Sequence, residues 1–110
     1  MDFEETDEGT HVVLAPEGKF NLVAAPPIKA RIDDLVAAGK DHLVVDLHAV
    51  DFIDSSGLGA LIGGLKAARQ QGGDLRIAAA GDQVRAVLKL TNLDRILAPY
   101  ATVEEAADGW

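Results

Sequence analysis

Apolar residues recur along this chain with two different periods. The segment from Asp2 to Pro16 reads as two strands around the turn Asp7-Glu8-Gly9-Thr10, with His11-Val12-Val13-Leu14 the better strand. Pro16-Glu17-Gly18 reads as a loop. Ile28, Ile32, Leu35 and Val36 then fall at helical spacing, after a Pro26-Pro27 start and before a Gly39 stop. Leu43-Val44-Val45-Asp46-Leu47 is nearly continuously apolar, which suits a strand buried on both faces. A loop follows through Asp51 to Gly57. Leu58, Leu61, Ile62 and Leu65 mark a second helix whose wet side carries Lys66, Arg69, Gln70 and Gln71, and Gly72-Gly73 ends it. Leu75 to Ala79 is a third inner strand. Gly81-Asp82 opens a helix carrying Val84, Val87 and Leu88, which Thr91-Asn92 breaks. Ile96-Leu97 reads as a last edge strand. Thr102 caps a short closing helix, Val103 to Ala107, with Glu104 and Glu105 in its favourable first turn.

Strands thus alternate with helices after an opening hairpin. That order predicts an α/β fold with a mixed, mainly parallel sheet of about four to five strands and about four helices. With 110 residues the chain makes one domain, spanning 1–110. No internal repeat or low-complexity tract interrupts it.

Composition narrows the function. There is no cysteine, which removes disulfides, thiolate metal sites and cysteine nucleophiles together. Ten Lys and Arg stand against eighteen Asp and Glu, a formal net charge of −8. A nucleic-acid binder needs a basic face to displace counterions, and no cluster here supplies one. The same charge disfavours anionic membrane surfaces and directs the chain toward protein partners with a basic docking face. The apolar runs are too short to span a bilayer, and the acidic start has no basic region of a secretory signal. A cytoplasmic protein that is monomeric when free is the expectation.

The stretch Asp54-Ser55-Ser56-Gly57-Leu58-Gly59 carries the chemistry. It places two hydroxyls and a carboxylate at a helix start, where unpaired amides and the dipole favour negative charge. A phosphoryl group on a serine there would be stabilised without breaking the helix. The same residues also read as an ordinary N-cap, with Gly57 and Gly59 giving a tight turn and close packing. Leu58 reads equally as an exposed apolar anchor or as a core residue.

The other constellations fit structural roles. His11, His42 and His48 sit singly beside strands, without a partner at metal-ligand spacing. No Gly-x-Ser-x-Gly elbow surrounds the serines, so hydrolase chemistry is not indicated. Gly57, Gly59, Gly63 and Gly64 match neither nucleotide-loop pattern and read as close helix packing. No cofactor motif is present. Asp33-Asp34 and Glu104-Glu105 read as solvated faces. Trp110 either packs on the sheet or hangs loose.

Asp54-Ser55-Ser56-Gly57-Leu58-Gly59, preceded by Val44-Val45-Asp46-Leu47 and Phe52-Ile53, resembles the signature of the STAS domain. More narrowly it resembles the bacterial anti-sigma factor antagonists. Gly18, Gly72-Gly73 and the spacing of Val84, Leu88 and Leu93 extend the match over most of the chain. The resemblance implies a phosphoprotein switch in transcription control, not an enzyme. It makes Ser55 the phosphorylated residue, modified by an anti-sigma factor that is also a serine kinase. The unmodified form would bind that factor and free the sigma factor, and a serine phosphatase would reset the cycle. Gly18, Asn21, Asp54, Ser56, Gly57 and Leu58 would shape the docking edge. One departure stands out. The family commonly carries Gly-x-Leu-Asp where this chain has Gly18-Lys19-Phe20-Asn21, so Asn21 keeps the size and hydrogen-bonding capacity but not the charge. An alternative within the family is a docking module of a lipid transport system or scaffold that needs no phosphorylation.

Overall fold

A computed structural model describes residues 2–110. The predicted hairpin is present, with β1 (Phe3–Asp7) antiparallel to β2 (Val12–Pro16). The Asp7 carboxylate accepts from Gly9 N at 2.9 Å and closes the turn. The next segment, expected as a loop, instead starts a short strand, β3 (Gly18–Phe20). Helix α1 (Ala25–Ala37) carries proline in its first turn, where an amide hydrogen has no helical partner to lose. It buries Ile28, Ile32, Leu35 and Val36, the stripe read from the sequence. At its end Gly39 adopts φ +85° while Lys40 N bonds back to Leu35 O at 2.9 Å. A residue with a Cβ would be strained there.

Strand β4 (His42–Asp46) follows, then β5 (Val50–Ile53), a second strand where a loop was expected. Helix α2 (Ser55–Gln70), strand β6 (Asp74–Ala78) and helix α3 (Asp82–Leu90) complete the central run. Ile96-Leu97 is not the last strand. Leu97 is buried in the core after a 3-10 turn at Leu93–Arg95, and the edge strand is β7 (Pro99–Tyr100). Proline is tolerated at such an edge because its missing donor has no ladder partner to serve. Helix α4 (Val103–Ala106) closes the chain, capped as expected by the Thr102 hydroxyl accepting from Glu105 N at 3.1 Å.

The main sheet has five strands in the order β1-β2-β4-β6-β7, parallel except for the opening hairpin. Strands β3 and β5 form a separate parallel ribbon. Alternation along the main strands sorts the side chains. Val12, Leu14, Leu43, Val45, Leu75 and Ile77 enter one large core with the buried faces of α1, α2 and α3. Val13, Val44 and Ala78 face the other way, where α4 and Trp110 cover them. Burial of this kind stabilises by roughly 25 cal/mol per Å² of apolar surface.

Of the two readings left open for Trp110, the packed one holds. The Arg76 guanidinium lies 4.1 Å from the centre of its ring, and His42 meets it edge-on at 4.9 Å. Arg76 also donates to Ala106 O at 2.8 Å, so one side chain on β6 pins the closing segment twice. On the opposite flank, Arg31 of α1 grips Glu5 of β1 through both carboxylate oxygens, at 2.5 and 2.7 Å. Lys40 holds Asp7 at 2.6 Å. The Arg31 guanidinium holds the Glu5 carboxyl below its ordinary range, and Lys40 does the same for Asp7. No described helix is long and apolar enough to cross a membrane.

Candidate functional site

The start of α2 is built from three sequence-distant pieces. Asp54 stands outside the helix with extended backbone (φ −112°, ψ −173°), and its carboxylate accepts from Gly57 N at 3.0 Å. Asp54 is therefore the cap, and neither serine is used for it. Ser55, the first helical residue, is exposed, and its hydroxyl has no hydrogen-bond partner among the described residues. Ser56 is half-buried.

The ribbon fixes where this helix start sits. Asp54 N donates to Phe20 O at 3.3 Å, joining the end of β3 to the entrance of α2. Gly57 packs against the same place. A Cβ on it would collide with Phe20 O and come within 2.7 Å of Ile53 Cγ1. Only a residue without a side chain lets the helix approach this closely. The packing role read for the other glycines holds in part. A Cβ on Gly64 would press Ile32 and Leu75 at 3.0 Å, and one on Gly63 would displace only the flexible end of Lys29. Gly59 meets nothing within 4 Å and has no packing role.

Asn21 begins the turn between β3 and α1. Its side-chain oxygen accepts from Val23 N at 3.1 Å and Ala24 N at 3.3 Å, an Asx turn. These bonds need an acceptor and not a charge, so asparagine does here what aspartate would do. The turn holds Leu22 and Val23 out in solvent, 70% and 78% exposed. On β5, Phe52 is 38% exposed, opposite Lys19 in the ribbon register. Solvated apolar side chains thus stand on both segments that flank Ser55, a composition suited to a protein interface.

Two of the named residues fall elsewhere. Leu58 is 6% exposed and belongs to the core, so it is not the apolar anchor of the docking edge. Gly18 opens β3 opposite Val50, with φ +86° and its amide on Ala49 O at 2.8 Å. It sits two residues, about 7 Å, along the strand from Phe20, whose carbonyl meets Asp54. Sequence reasoning missed Gln83, whose side-chain amide pairs with both backbone groups of Ile53. A lone glutamine in the first turn of a helix gives no signal of that contact. Among the described residues no group of three or more His, Cys, Asp or Glu side chains could hold a metal ion.

The model of the STAS domain matches residues 3–106. A Thermotoga maritima protein, provisionally named an anti-sigma factor antagonist, is 34% identical over 98 residues, covering 88% of this chain and 87% of its own. The anti-sigma-B factor antagonist of Bacillus subtilis is 27% identical over 97 residues, covering 88% and 86%. The crystal structure of an anti-sigma factor antagonist from Mycobacterium paratuberculosis superposes with a TM-score of 0.84 at 30% identity, covering 96% of this chain and 89% of that one. These names describe regulatory proteins and not catalysts.

Proposed function

The chain belongs to the STAS domain family, and from that membership we propose that it is an anti-sigma factor antagonist switched by phosphorylation of Ser55. In this reading the unmodified protein binds an anti-sigma factor with serine kinase activity in the cytoplasm and releases the sigma factor. It is a monomer when free. Phosphorylation ends the complex, and a serine phosphatase restores it.

The carrying observation is the free, exposed Ser55 hydroxyl beside a cap already supplied by Asp54. Modification of Ser55 therefore removes no hydrogen bond that the fold uses. A phosphoryl group adds roughly −1.5 to −2 charge at neutral pH. At the first position of α2 that charge faces the positive end of the helix, so the fold tolerates it. A partner does not tolerate it so readily. Lys19 is the one basic residue on the two ribbon strands, and Asp51 and Asp54 are close in sequence. A buried phosphoryl group would need cations from the partner. Losing about 3 kcal/mol weakens binding more than a hundredfold. The apolar Leu22, Val23 and Phe52 supply the contact area beside the switch.

The test is intact-mass analysis after incubation with ATP and host-cell extract, with Ser55→Ala as control. One added phosphoryl group in the wild type alone is the expected result. No modification, in an extract that phosphorylates a known family member, would replace the switch with a constitutive docking module.

A further inference from the structure

At the far end of α2, the arginines gather in a way the net charge of the chain does not suggest. Strand β7 pairs only with Ile77 and Ala78, so the flank of β6 from Asp74 to Arg76 is left open. A recess of about 190 Å³ lies there, lined among others by Arg69, Asp74, Arg76, Arg95, Ile96 and Tyr100. Three of the five arginines in a chain of net charge −8 meet at this one place, against a single carboxylate.

That carboxylate organises the cluster without neutralising it. Asp74 Oδ1 accepts from Arg69 Nε at 3.2 Å, and Oδ2 accepts from Arg76 Nε at 3.3 Å. Among the described residues the terminal nitrogens of Arg69 have no hydrogen-bond partner. Among the described residues neither the Arg95 guanidinium nor the Tyr100 hydroxyl has a hydrogen-bond partner. Arg76 gives Nη1 to Ala106 O and Asp108 O, whereas the Arg69 fork is held by the carboxylate with its outer N–H groups free, an arrangement that suits a tetrahedral oxyanion. The carbonyl end of α2 opposes an anion, and the full charges of Arg69 and Arg95 on the recess outweigh that partial charge.

We infer that this recess is a binding site for a phosphate-type dianion, held by Arg69 and Arg95 with Tyr100 as a further donor. The volume is below that of pockets for drug-sized ligands, about 300 Å³ and upward, so the ligand is a single phosphoryl group and not a whole nucleotide. The site lies fourteen residues along α2 from Ser55, about 21 Å away, and is independent of the docking edge.

The test is an NMR titration of the full chain with inorganic phosphate, chloride holding the ionic strength constant, and a parallel titration with O-phosphoserine. Saturable shifts confined to Arg69, Asp74 to Arg76 and Arg95 to Tyr100 are expected. Arg95→Ala and Arg69→Ala should each weaken binding about tenfold or more. Both side chains are exposed, so spectra elsewhere should stay unchanged. Asp74→Asn should tighten binding several-fold by removing the competing charge. Saturation by both probes identifies a free oxyanion as sufficient, and saturation by O-phosphoserine alone identifies an ester. Shifts that never saturate with either probe, or that ignore all three substitutions, would overturn the site.

Discussion

Gln83 pairs its side-chain amide with the backbone of Ile53 as if it were a strand residue: Oε1 accepts from Ile53 N at 2.9 Å, and Nε2 donates to Ile53 O at 3.0 Å. Among the described residues strand β5 has β3 on one side and no strand on the other. One glutamine of α3 thus closes the open edge immediately before Asp54 and Ser55. Gln83→Ala leaves two partly buried backbone groups without partners and should cost about 1–3 kcal/mol in urea unfolding. Gln83→Glu keeps the acceptor but loses the donor, and should fall between wild type and alanine.

The Asx turn at Asn21 makes charge and geometry separable. Asn21→Asp keeps both acceptor bonds to Val23 and Ala24, so stability should change by less than about 0.5 kcal/mol. Asn21→Ala removes both and should cost about 1 kcal/mol, with faster amide exchange at Val23 and Ala24. A change in Ser55 phosphorylation rate with Asn21→Asp at unchanged stability would then be an effect of the carboxylate charge alone.

Two glycines two residues apart should respond with opposite sign. Gly57→Ala drives a methyl group into Phe20 O and Ile53 and should destabilise by about 1–3 kcal/mol. Gly59→Ala meets open space in a helix interior and should stabilise by about 0.5–1 kcal/mol. Thermal melts of the two variants check this directly.

The β1 flank should be acid-labile. Glu5 and Asp7 have folded pKa values held below their ordinary 4.5 and 3.8 by Arg31 and Lys40. A carboxylate with a depressed pKa contributes stability above its unfolded pKa, and that contribution is lost as pH falls through the folded value. Amide exchange in β1 should therefore accelerate below about pH 4.5 before the central strands respond. Both pairs are largely exposed, so salt should weaken the effect. Glu5→Gln should remove most of the pH response of the strand.

What the sequence made legible follows from where each signal arises. Leu43 to Leu47 announced a central strand because both faces are covered, and β4 does lie between β2 and β6. The stripe of α1 and the Thr102 cap were local patterns and were read correctly. Strands β3 and β5 were not legible. Gly18-Lys19-Phe20 and Val50-Asp51-Phe52-Ile53 are short, carry charged residues, and exist as strands only through each other. Ile96-Leu97 looked like a strand because it is apolar, but Leu97 is apolar to fill the core. At the site, the motif falls at the start of α2, the helix start that the sequence pattern predicts. The division of labour between cap and free hydroxyl is set by the tertiary packing of the helix start and is not legible in the motif, since either an aspartate or a serine can cap a helix.

The separation of the β3–β5 ribbon from the main sheet has an evolutionary consequence. Among the described residues no ladder bond joins the two. Surface residues such as Lys19, Leu22, Val23 and Phe52 can therefore be exchanged without disturbing the register of the five main strands. A lineage that duplicates this domain can drift to a new partner by rewriting a few ribbon and turn positions, while Gly57 and Gln83 keep the helix start in place. Cross-talk between duplicated copies would then be decided by a handful of side chains.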